Sequence, residues 1–415
     1  MLLTARETAE RLGIKLDTLY AYVSRGQLRS IEVADSRERR YDADEVERFR
    51  SGKRAARIAA EALVPVIGSA ICLIDNHRLY YRGADALALA ETANLEEVAA
   101  ILWDAEASPT PIPAFPRSRG KGRVPAGGDY LPPPQAGEGL GGGESGGGGR
   151  LGVIERCHVR LAELSATDLA ALDLSHAGVA RTARLILGEL ATVVGGGAPS
   201  ALPVHRRLAA AWNLGEPGGD ILRRCLVLLA DHELNASTFV ARCVASTGAT
   251  PYAVVSGALA ALSGRRHGGA SAQAEALFRE LEGAPDPAPI LAARLARGEA
   301  LPGLGQPLYP NGDPRARAII DALVRACPAG TGVAAAAAAA TQLTGEHPNV
   351  DFALGAASIV LGLPRGAALG IFLVARAVGW LAHAMEQYES GVLIRPRARY
   401  IGIRPKGQSG AGAAG

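Results

Sequence analysis

Apolar residues recur at three- and four-residue spacing through most of the chain between residues 151 and 395, which is the spacing of one face of an α-helix. The segments 167–197, 219–247 and 314–330 show the pattern most clearly, with glycine or proline as punctuation. A strand-like pattern occurs in residues 69–83, where we predict a hairpin that turns at Asp75 and Asn76. The pattern therefore predicts an all-α protein that contains one small hairpin.

The first fifty residues form a unit of their own. Thr4 and Glu7 are spaced as a capping box that opens a short helix, and Gly13 ends it. A second helix is predicted from about residue 16 to Gly26, followed by a small β-wing and a third helix. Residues 2–50 resemble the winged helix-turn-helix of the excisionase and MerR-type DNA-binding families. We therefore expect a winged helix-turn-helix domain over residues 1–58.

This resemblance implies DNA contacts from two elements. The second helix would enter a major groove and the wing would contact phosphate. Residues 1–58 nevertheless hold 13 Lys/Arg against 10 Asp/Glu, a weak electrostatic footprint, so a packing module that has lost its DNA stays an alternative. The candidate DNA-binding residues are Lys15, Thr18, Tyr20, Tyr22 and Arg25 on the helix and Arg37, Arg39 and Arg40 on the wing.

Composition narrows the class of protein. The 415 residues are 48% hydrophobic but only 5% aromatic, which favours a core of Ala, Leu and Val on helices. The five cysteines lie far apart and show no metal-ligand spacing, so we expect reduced thiols and no metal. The N-terminus lacks a secretory pattern, and the apolar stretches at 333–340 and 366–374 are too short or too weakly apolar to cross a bilayer. We expect a soluble cytoplasmic protein.

Residues 105–150 are rich first in proline and then in glycine, with almost nothing to bury. Such a composition does not offset the entropy lost on ordering, so we predict a disordered insert within a globular domain. Residues 406–415 are predicted to be a flexible tail.

Three residues stand out as candidates for chemistry. His232 lies in "DHELNAST". His267 is followed directly by two glycines at a predicted helix start, where a ligand can approach the ring. Asp351 precedes an apolar helix, where partial burial would raise its pKa toward that of a useful base. The alternatives are satisfied core histidines and a simple helix cap.

Arginines in apolar surroundings suggest an anionic ligand. Arg376 lies in "IFLVARAVGWLAHAMEQ", and Arg395, Arg397 and Arg399 follow near the C-terminus. An arginine among Leu, Val and Trp is costly unless it meets an anion, which suggests a ligand rich in carboxylates.

Six motifs occur in order: "YYRGADALALAETANLEEVAAILWD", "DHELNASTF", "GRRHGG", "PGLGQPLYPNGDPR", "HPNVDF" and "ARAVGWLAHAMEQ" followed by "LIRPRARYIG". Together they resemble the citrate synthase family from about residue 68 to 402, apart from the insert. The resemblance implies an all-α homodimer in which each protomer has a large helical domain, here 59–104, 151–266 and 357–405, and a small one, 267–356.

The resemblance also implies a reaction, the condensation of acetyl-CoA with oxaloacetate to citrate and CoA, with no cofactor beyond the coenzyme A thioester. By motif, Asp351 would remove a methyl proton and His267 would stabilise the enol. His232, Arg315, Arg376 and Arg395 match oxaloacetate-binding positions, with Arg395 reaching the partner's site. Leu301, Pro302, Gly303, Leu304 and Gly305 would contact coenzyme A.

One position departs from the family pattern. The family has a histidine where this chain has Gln306, and Arg315 nine residues later fixes the register. An amide can donate a neutral hydrogen bond to the oxaloacetate carbonyl but carries no charge, so we predict a slow enzyme. The alternative is a metabolite-sensing DNA-binding regulator that binds oxaloacetate or acyl-CoA. The sequence does not separate acetyl-CoA from propionyl-CoA as the substrate.

Overall fold

The structure is a computed structural model of the 415-residue chain. It describes residues 2–12, 67–103 and 151–398, with residues 16, 19, 20, 23, 28, 30–32, 39–43, 46, 47 and 49. The chain folds as two units, Met1–Gly68 and Ser69–Gly415. The predicted insert at 105–150 and the predicted tail at 406–415 lie outside the described residues. The finer division of the helical part into a large and a small domain stays a prediction.

The first unit contains a small antiparallel sheet and a capped helix. Strands β1 (Leu2–Thr4), β2 (Ile31–Glu32) and β3 (Arg39–Asp42) pair in the order β1-β3-β2. Helix α1 (Ala5–Leu12) begins with the predicted capping box, which is confirmed: the Glu7 amide donates to Thr4 Oγ1 at 3.2 Å, and the Thr4 amide donates to Glu7 Oε2 at 2.8 Å. Its core includes Leu3, Leu19, Leu28, Tyr41 and Val46.

The second unit opens with the predicted hairpin. Strand β4 (Cys72–Asp75) pairs with β5 (Arg78–Tyr81), and a short β6 (Ala84–Asp85) adds a third strand. Asn76 and His77 have φ values of 46° and 62°, so the turn is centred one residue later than predicted. A two-residue turn with both central residues left-handed matches the twist of the two strands, and asparagine tolerates that conformation.

Fifteen α-helices can be bounded within the described residues, and all but α1 belong to the second unit. They are α2 (Ala86–Thr92), α3 (Leu95–Leu102), α4 (Val153–Thr167), α5 (His176–Gly195), α6 (Val204–Ala211), α7 (Glu216–Leu229), α8 (Ala236–Ala245), α9 (Pro251–Leu262), α10 (Gly269–Leu281), α11 (Ala288–Ala296), α12 (Pro314–Ala326), α13 (Gly330–Thr344), α14 (Val350–Val360) and α15 (Ala367–Ser390).

Side-chain caps divide two of the segments that show helical periodicity. The segment 167–197 holds a short 3-10 turn, Leu169–Leu172, and then α5, whose N-cap Ser175 accepts from the Gly178 amide. The segment 219–247 is interrupted between α7 and α8, where the N-cap Asn235 accepts from the Thr238 amide. Serine and asparagine bind backbone amides in this way and so start helices rather than continue them. The interruption places Asp231 and His232 in a loop.

Helix α15 is the central element of the second unit. By length and composition it could cross a membrane, but 94% of its most apolar window is buried inside the protein, as in a core helix. It passes very close to the loop after α7: a Cβ added at Gly379 would lie 2.2 Å from Asp231 Oδ2. Only glycine fits there, so α15 lies directly against the residues that precede His232.

Candidate active site

The loop between α11 and α12 is clamped against the start of α14. The Gly305 amide donates to the His347 carbonyl at 2.8 Å, and the Asn349 amide donates to the Gly303 carbonyl at 2.8 Å. Gly303 has a φ of 80°, and a Cβ there would lie 2.6 Å from the Phe352 amide nitrogen. This close backbone approach fixes the loop beside the helix that carries Asp351.

Arg315 is buried and already paired. Its side chain is 2% exposed, and it donates from Nε and Nη2 to the two oxygens of Asp313 at 3.0 and 2.8 Å. Burial lowers the pKa of Arg315, but the charge and hydrogen bonds of Asp313 outweigh it and hold the pKa above its ordinary value. Asp313 also caps α12 and accepts from the Val350 amide at 3.2 Å. The pair therefore links Arg315 to the first turn of α14.

Arg376 is equally buried but only partly satisfied. Nε donates to the Leu229 carbonyl at 2.8 Å, while Nη1 is buried with no hydrogen-bond partner among the described residues. The guanidinium carbon lies 4.8 Å from the centre of the Phe372 ring. Burial lowers the pKa of Arg376, and the nearby Asp231 carboxylate opposes that shift. A buried cation with a free donor is suited to bind an anion.

His232 lies close enough to both arginines to feel their charges. Its Nε2 is 3.1 Å from the Tyr309 hydroxyl, and the ring is 7% exposed. Burial, followed by the charges of Arg315 and Arg376, lowers its pKa well below the ordinary value of 6.5. His232 is therefore a neutral imidazole beside two cations.

His267 is held by the start of α8. Its Nε2 lies 2.8 Å from Ser237 Oγ, which also faces Asn235 Oδ1 at 2.9 Å and accepts from Trp380 Nε1 at 3.1 Å. The ring packs edge-on against Phe372, the ring that also contacts Arg376. Burial, and then Arg376, lowers the pKa of His267 to about 4. His267 is thus also neutral near pH 7, which suits a hydrogen-bond donor rather than an acid.

Asp351 lies in the first turn of α14, where its amide donates to the N-cap Asn349 at 2.9 Å. Its carboxylate accepts a hydrogen bond from the Ser271 hydroxyl of α10. Burial raises the pKa of Asp351, although Ser271 and Arg315 act in the opposite direction. A carboxylate with a raised pKa is a stronger base than an exposed one. Asp351 therefore combines with two cations and two neutral imidazoles in one site.

A family model described as "Citrate synthase, C-terminal domain" matches residues 173–397, more than half of the chain. The chain belongs to the citrate synthase family. A helix-turn-helix domain model matches residues 2–54, in the first unit. The predicted family and the predicted N-terminal domain are both confirmed.

Relatives in the citrate synthase family include enzymes of two named kinds. Citrate synthase of Haloferax volcanii is 40% identical over 185 residues, and 2-methylcitrate synthase of Mycobacterium tuberculosis is 39% identical over 186. Each of these matches covers 43% of this chain and about half of the relative, 48% and 47%. A citrate synthase of Mycolicibacterium smegmatis is 30% identical over 364 residues, which cover 79% of this chain and 90% of the relative.

Solved structures of the citrate synthase family share the fold. Citrate synthase from Pyrobaculum aerophilum matches with a TM-score of 0.61 at 26% identity, covering 82% of this chain and 91% of that chain. The ternary complex of the Thermoplasma acidophilum enzyme with carboxymethyl coenzyme A and oxaloacetate matches with a TM-score of 0.61 at 20% identity, covering 84% and 96%. The expected all-α citrate synthase fold is confirmed.

Gln306, the position of the predicted departure from the family pattern, lies beside Tyr309 in the chain. Its backbone carbonyl accepts from the Tyr309 amide at 2.9 Å, so it lies in the loop that presents Tyr309. Its side chain is half-buried, and Oε1 lies 3.4 Å from the Leu308 amide. The amide nitrogen makes no hydrogen bond to the described residues, which leaves both of its protons available to a ligand.

The other predicted residues belong to other segments of the chain or lie outside the described residues. Arg395 and Arg397 are exposed in the irregular segment after α15. The predicted coenzyme A residues 301–305 form the clamped loop, and Tyr20, Arg39 and Arg40 lie in the first unit. The remaining predicted contacts, Lys15, Thr18, Tyr22, Arg25, Arg37 and Arg399, lie outside the described residues.

The sequence analysis did not identify four residues that contact the predicted site residues: Ser237, Ser271, Tyr309 and Asp313. Asp313 carried a usable signal, because an aspartate before a proline is typical of a helix start. Tyr309 carried none, since it lies 77 residues from His232 in the chain.

Proposed function

We propose that this protein condenses acetyl-CoA or a related acyl-CoA with oxaloacetate and releases citrate, or the corresponding acid, and free CoA. The observation that carries the proposal is the pair of buried guanidiniums of Arg315 and Arg376, one of which has a donor without a partner among the described residues. A dicarboxylate offers one anionic group to each. The named kinds of relative and the ternary complex of the Thermoplasma acidophilum enzyme support this choice of substrates.

The proton-transfer residues support the first step. Asp351, made more basic by burial, takes a proton from the methyl carbon of the thioester. His267, neutral near pH 7, donates to the thioester oxygen as it gains charge. The enol carbon then forms a bond to the oxaloacetate carbonyl carbon, and the carbonyl oxygen becomes an alkoxide that takes up a proton. Water finally cleaves the thioester.

Gln306 sets the expected rate. An amide donor to the oxaloacetate carbonyl is neutral, whereas charge-assisted donors are roughly twice as strong. Removing a preorganised donor altogether costs about 2.7 to 4 kcal/mol, so a weaker donor costs less than that. We expect a slow synthase that is faster with histidine at this position.

The test is the release of free CoA thiol from acetyl-CoA and propionyl-CoA in the presence of oxaloacetate. Wild type should release thiol slowly, and Gln306→His should be faster by about tenfold to a hundredfold. Gln306→Leu, which has no donor, should be slower than wild type. No thiol from wild type and from Gln306→His with either thioester would overturn the proposal.

Asp351→Asn provides the control for the chemical step, because it is nearly isosteric and lacks the base. It should lose thiol release and keep oxaloacetate binding. Comparing the two thioesters also tests whether the enzyme prefers acetyl-CoA or propionyl-CoA.

We further propose that Arg395 completes the site of a partner subunit in a homodimer, and that the protein is cytoplasmic.

The helix-turn-helix match favours a second, compatible function: a DNA-binding regulator whose ligand is oxaloacetate or acyl-CoA. A two-fold dimer would present two reading heads to paired half-sites. The test is binding to the DNA upstream of its own gene, with and without oxaloacetate. Binding should weaken with salt and in a variant with Arg37, Arg39 and Arg40 replaced by alanine. An absence of binding at low salt would exclude this function.

A further inference from the structure

Tyr309 joins the loop that carries Gln306 to the ligand-binding cluster. Its side chain is 2% exposed, and its carbonyl accepts from the Gly312 amide at 2.9 Å. The Arg315 guanidinium lies 5.6 Å from the centre of its ring. Within the described residues its hydroxyl makes one hydrogen bond, to His232 Nε2 at 3.1 Å. The ring is thus fixed from two sides, with its hydroxyl aimed at the imidazole.

This contact holds one proton, and either partner can donate it. In the first arrangement the phenol donates to Nε2, so the neutral imidazole carries its own proton on Nδ1. In the second, Nε2 donates to the phenol oxygen, and Nδ1 presents a lone pair. The charge state is the same in both, because burial lowers the pKa of His232 well below 6.5 and raises the pKa of Tyr309 above its ordinary value.

The surroundings favour the first arrangement. Nδ1 of His232 has no hydrogen-bond partner among the described residues. The adjacent Arg315 and Arg376 make this a site for carboxylate. A lone pair on Nδ1 would repel a carboxylate, and the phenol proton would then have no acceptor among the described residues.

We propose that Tyr309 is a positioning residue that donates its hydroxyl proton to Nε2 of His232 and so holds the imidazole proton on Nδ1 for a ligand carboxylate. This inference rests on the proposed function, because the carboxylate is that of oxaloacetate. It adds a residue that acts through His232 and does not touch the reacting atoms. Tyr309 also explains how a histidine that never charges near pH 7 remains an obligate donor.

The first test needs no ligand and no activity. The full-length protein is labelled with ¹⁵N at histidine, and the His232 signals are assigned by their loss in His232→Asn. Wild type should show the proton on Nδ1. In Tyr309→Phe, which keeps the ring and removes the donor, both tautomers should be populated. A wild-type His232 with its proton on Nε2 would overturn the inference, whether or not the variant folds.

The second test separates substrates. In Tyr309→Phe the KM for oxaloacetate should rise by about threefold to tenfold, the worth of one hydrogen bond, while the KM for acetyl-CoA stays the same. Tyr252→Phe is the matched control, because Tyr252 is fully buried and donates to Asp168, which is not a residue of the candidate site. Equal changes in both KM values, or a response of the control, would contradict a positioning role.

The two tests also keep the proposals apart. If neither wild type nor Gln306→His releases thiol with either thioester but His232 carries its proton on Nδ1, the proposed function fails and the tautomer assignment stands. If thiol is released but His232 carries its proton on Nε2, the proposed function stands and the tautomer assignment fails. When no thiol is released, KM has no value to measure, and oxaloacetate binding measured by calorimetry replaces it as the readout of the second test.

Discussion

Arg315 and Arg376 are two arginines of one site that the fold treats in different ways. Their side chains are almost equally buried, at 2% and 1% exposure. Arg315 has a carboxylate partner on two of its nitrogens, whereas Arg376 has one backbone carbonyl, one aromatic face and a buried Nη1 with no partner among the described residues. Their pKa values accordingly move in opposite directions, above the ordinary value for Arg315 and below it for Arg376.

The difference distinguishes Arg315, whose charge also holds the site together, from Arg376, whose charge has no hydrogen-bonded carboxylate among the described residues. Asp313 neutralises Arg315 and at the same time binds the first amides of α12 and α14, so this pair holds the site together. Arg376 has its carboxylate, Asp231, nearby but not in hydrogen-bond contact, so its charge is left for a ligand. Both residues are arginines in apolar surroundings, yet only one should be needed for folding.

Replacing each arginine by methionine is the strongest test of this difference, because the two variants should lose very different amounts of stability. Arg315→Met leaves Asp313 buried without a countercharge, which should cost about 3 to 5 kcal/mol of unfolding free energy. Arg376→Met removes a buried, incompletely paired charge together with one hydrogen bond, so it should cost about 1 kcal/mol or less. The midpoints of urea unfolding measure both. Arg317→Met, exposed on the same helix as Arg315, is the control and should change little. Equal losses in the two buried variants would contradict the assignment.

Arg376, whose replacement should affect stability little, should matter strongly for ligand affinity. Arg376→Met should weaken oxaloacetate binding by about 2 to 5 kcal/mol, because a desolvated charge partner is lost. Arg376→Lys keeps the charge but loses the planar fork, so its loss should be smaller. Titration calorimetry with oxaloacetate measures both, again with Arg317→Met as the control. Wild-type affinity in Arg376→Met would show that Arg376 does not bind the ligand.

Physical reasoning about the sequence alone singled out Arg376, but not Arg315, as a cation in apolar surroundings. Arg376 stands in a long apolar helix, where its cost pointed to an anion, and α15 is indeed almost wholly buried. The helical periodicity, the capping box at Thr4 and the hairpin were likewise local patterns, and local patterns can be interpreted without knowledge of the packing. The turn of the hairpin was misplaced by one residue because its signal is short.

The pairing of distant residues could not be predicted. Asp313 meets Val350 across 37 positions, Ser237 meets His267 across 30, and Ser271 meets Asp351 across 80. Each contact depends on how two helices cross, and that crossing is set by packing over the whole core rather than by either segment. The pKa shifts follow from the same packing, since burial is their largest cause at His232, His267 and Asp351.

The smallest expected effect is a pH dependence that distinguishes the two arginines. Burial and then Arg376 lower the pKa of His267 to about 4, and Arg315 takes no part in that shift. As the pH falls through 6.5, unfolded His267 gains a proton and folded His267 does not, so stability is lost between about pH 6.5 and pH 4. Arg376→Met should raise the pKa of His267 part of the way toward 6.5, because burial remains, and the loss of stability should become shallower.

An NMR titration of His267 between pH 7 and pH 4 measures this shift directly, with the signal assigned by its loss in His267→Gln. Asp313→Asn serves as the matched comparison, since it alters the charge beside Arg315 and should leave the His267 pKa where it is. An unchanged pKa in Arg376→Met would mean that Asp231 already cancels the field of Arg376. The unpartnered donor of Arg376 would then bind a ligand through its hydrogen bond, and its charge would contribute little.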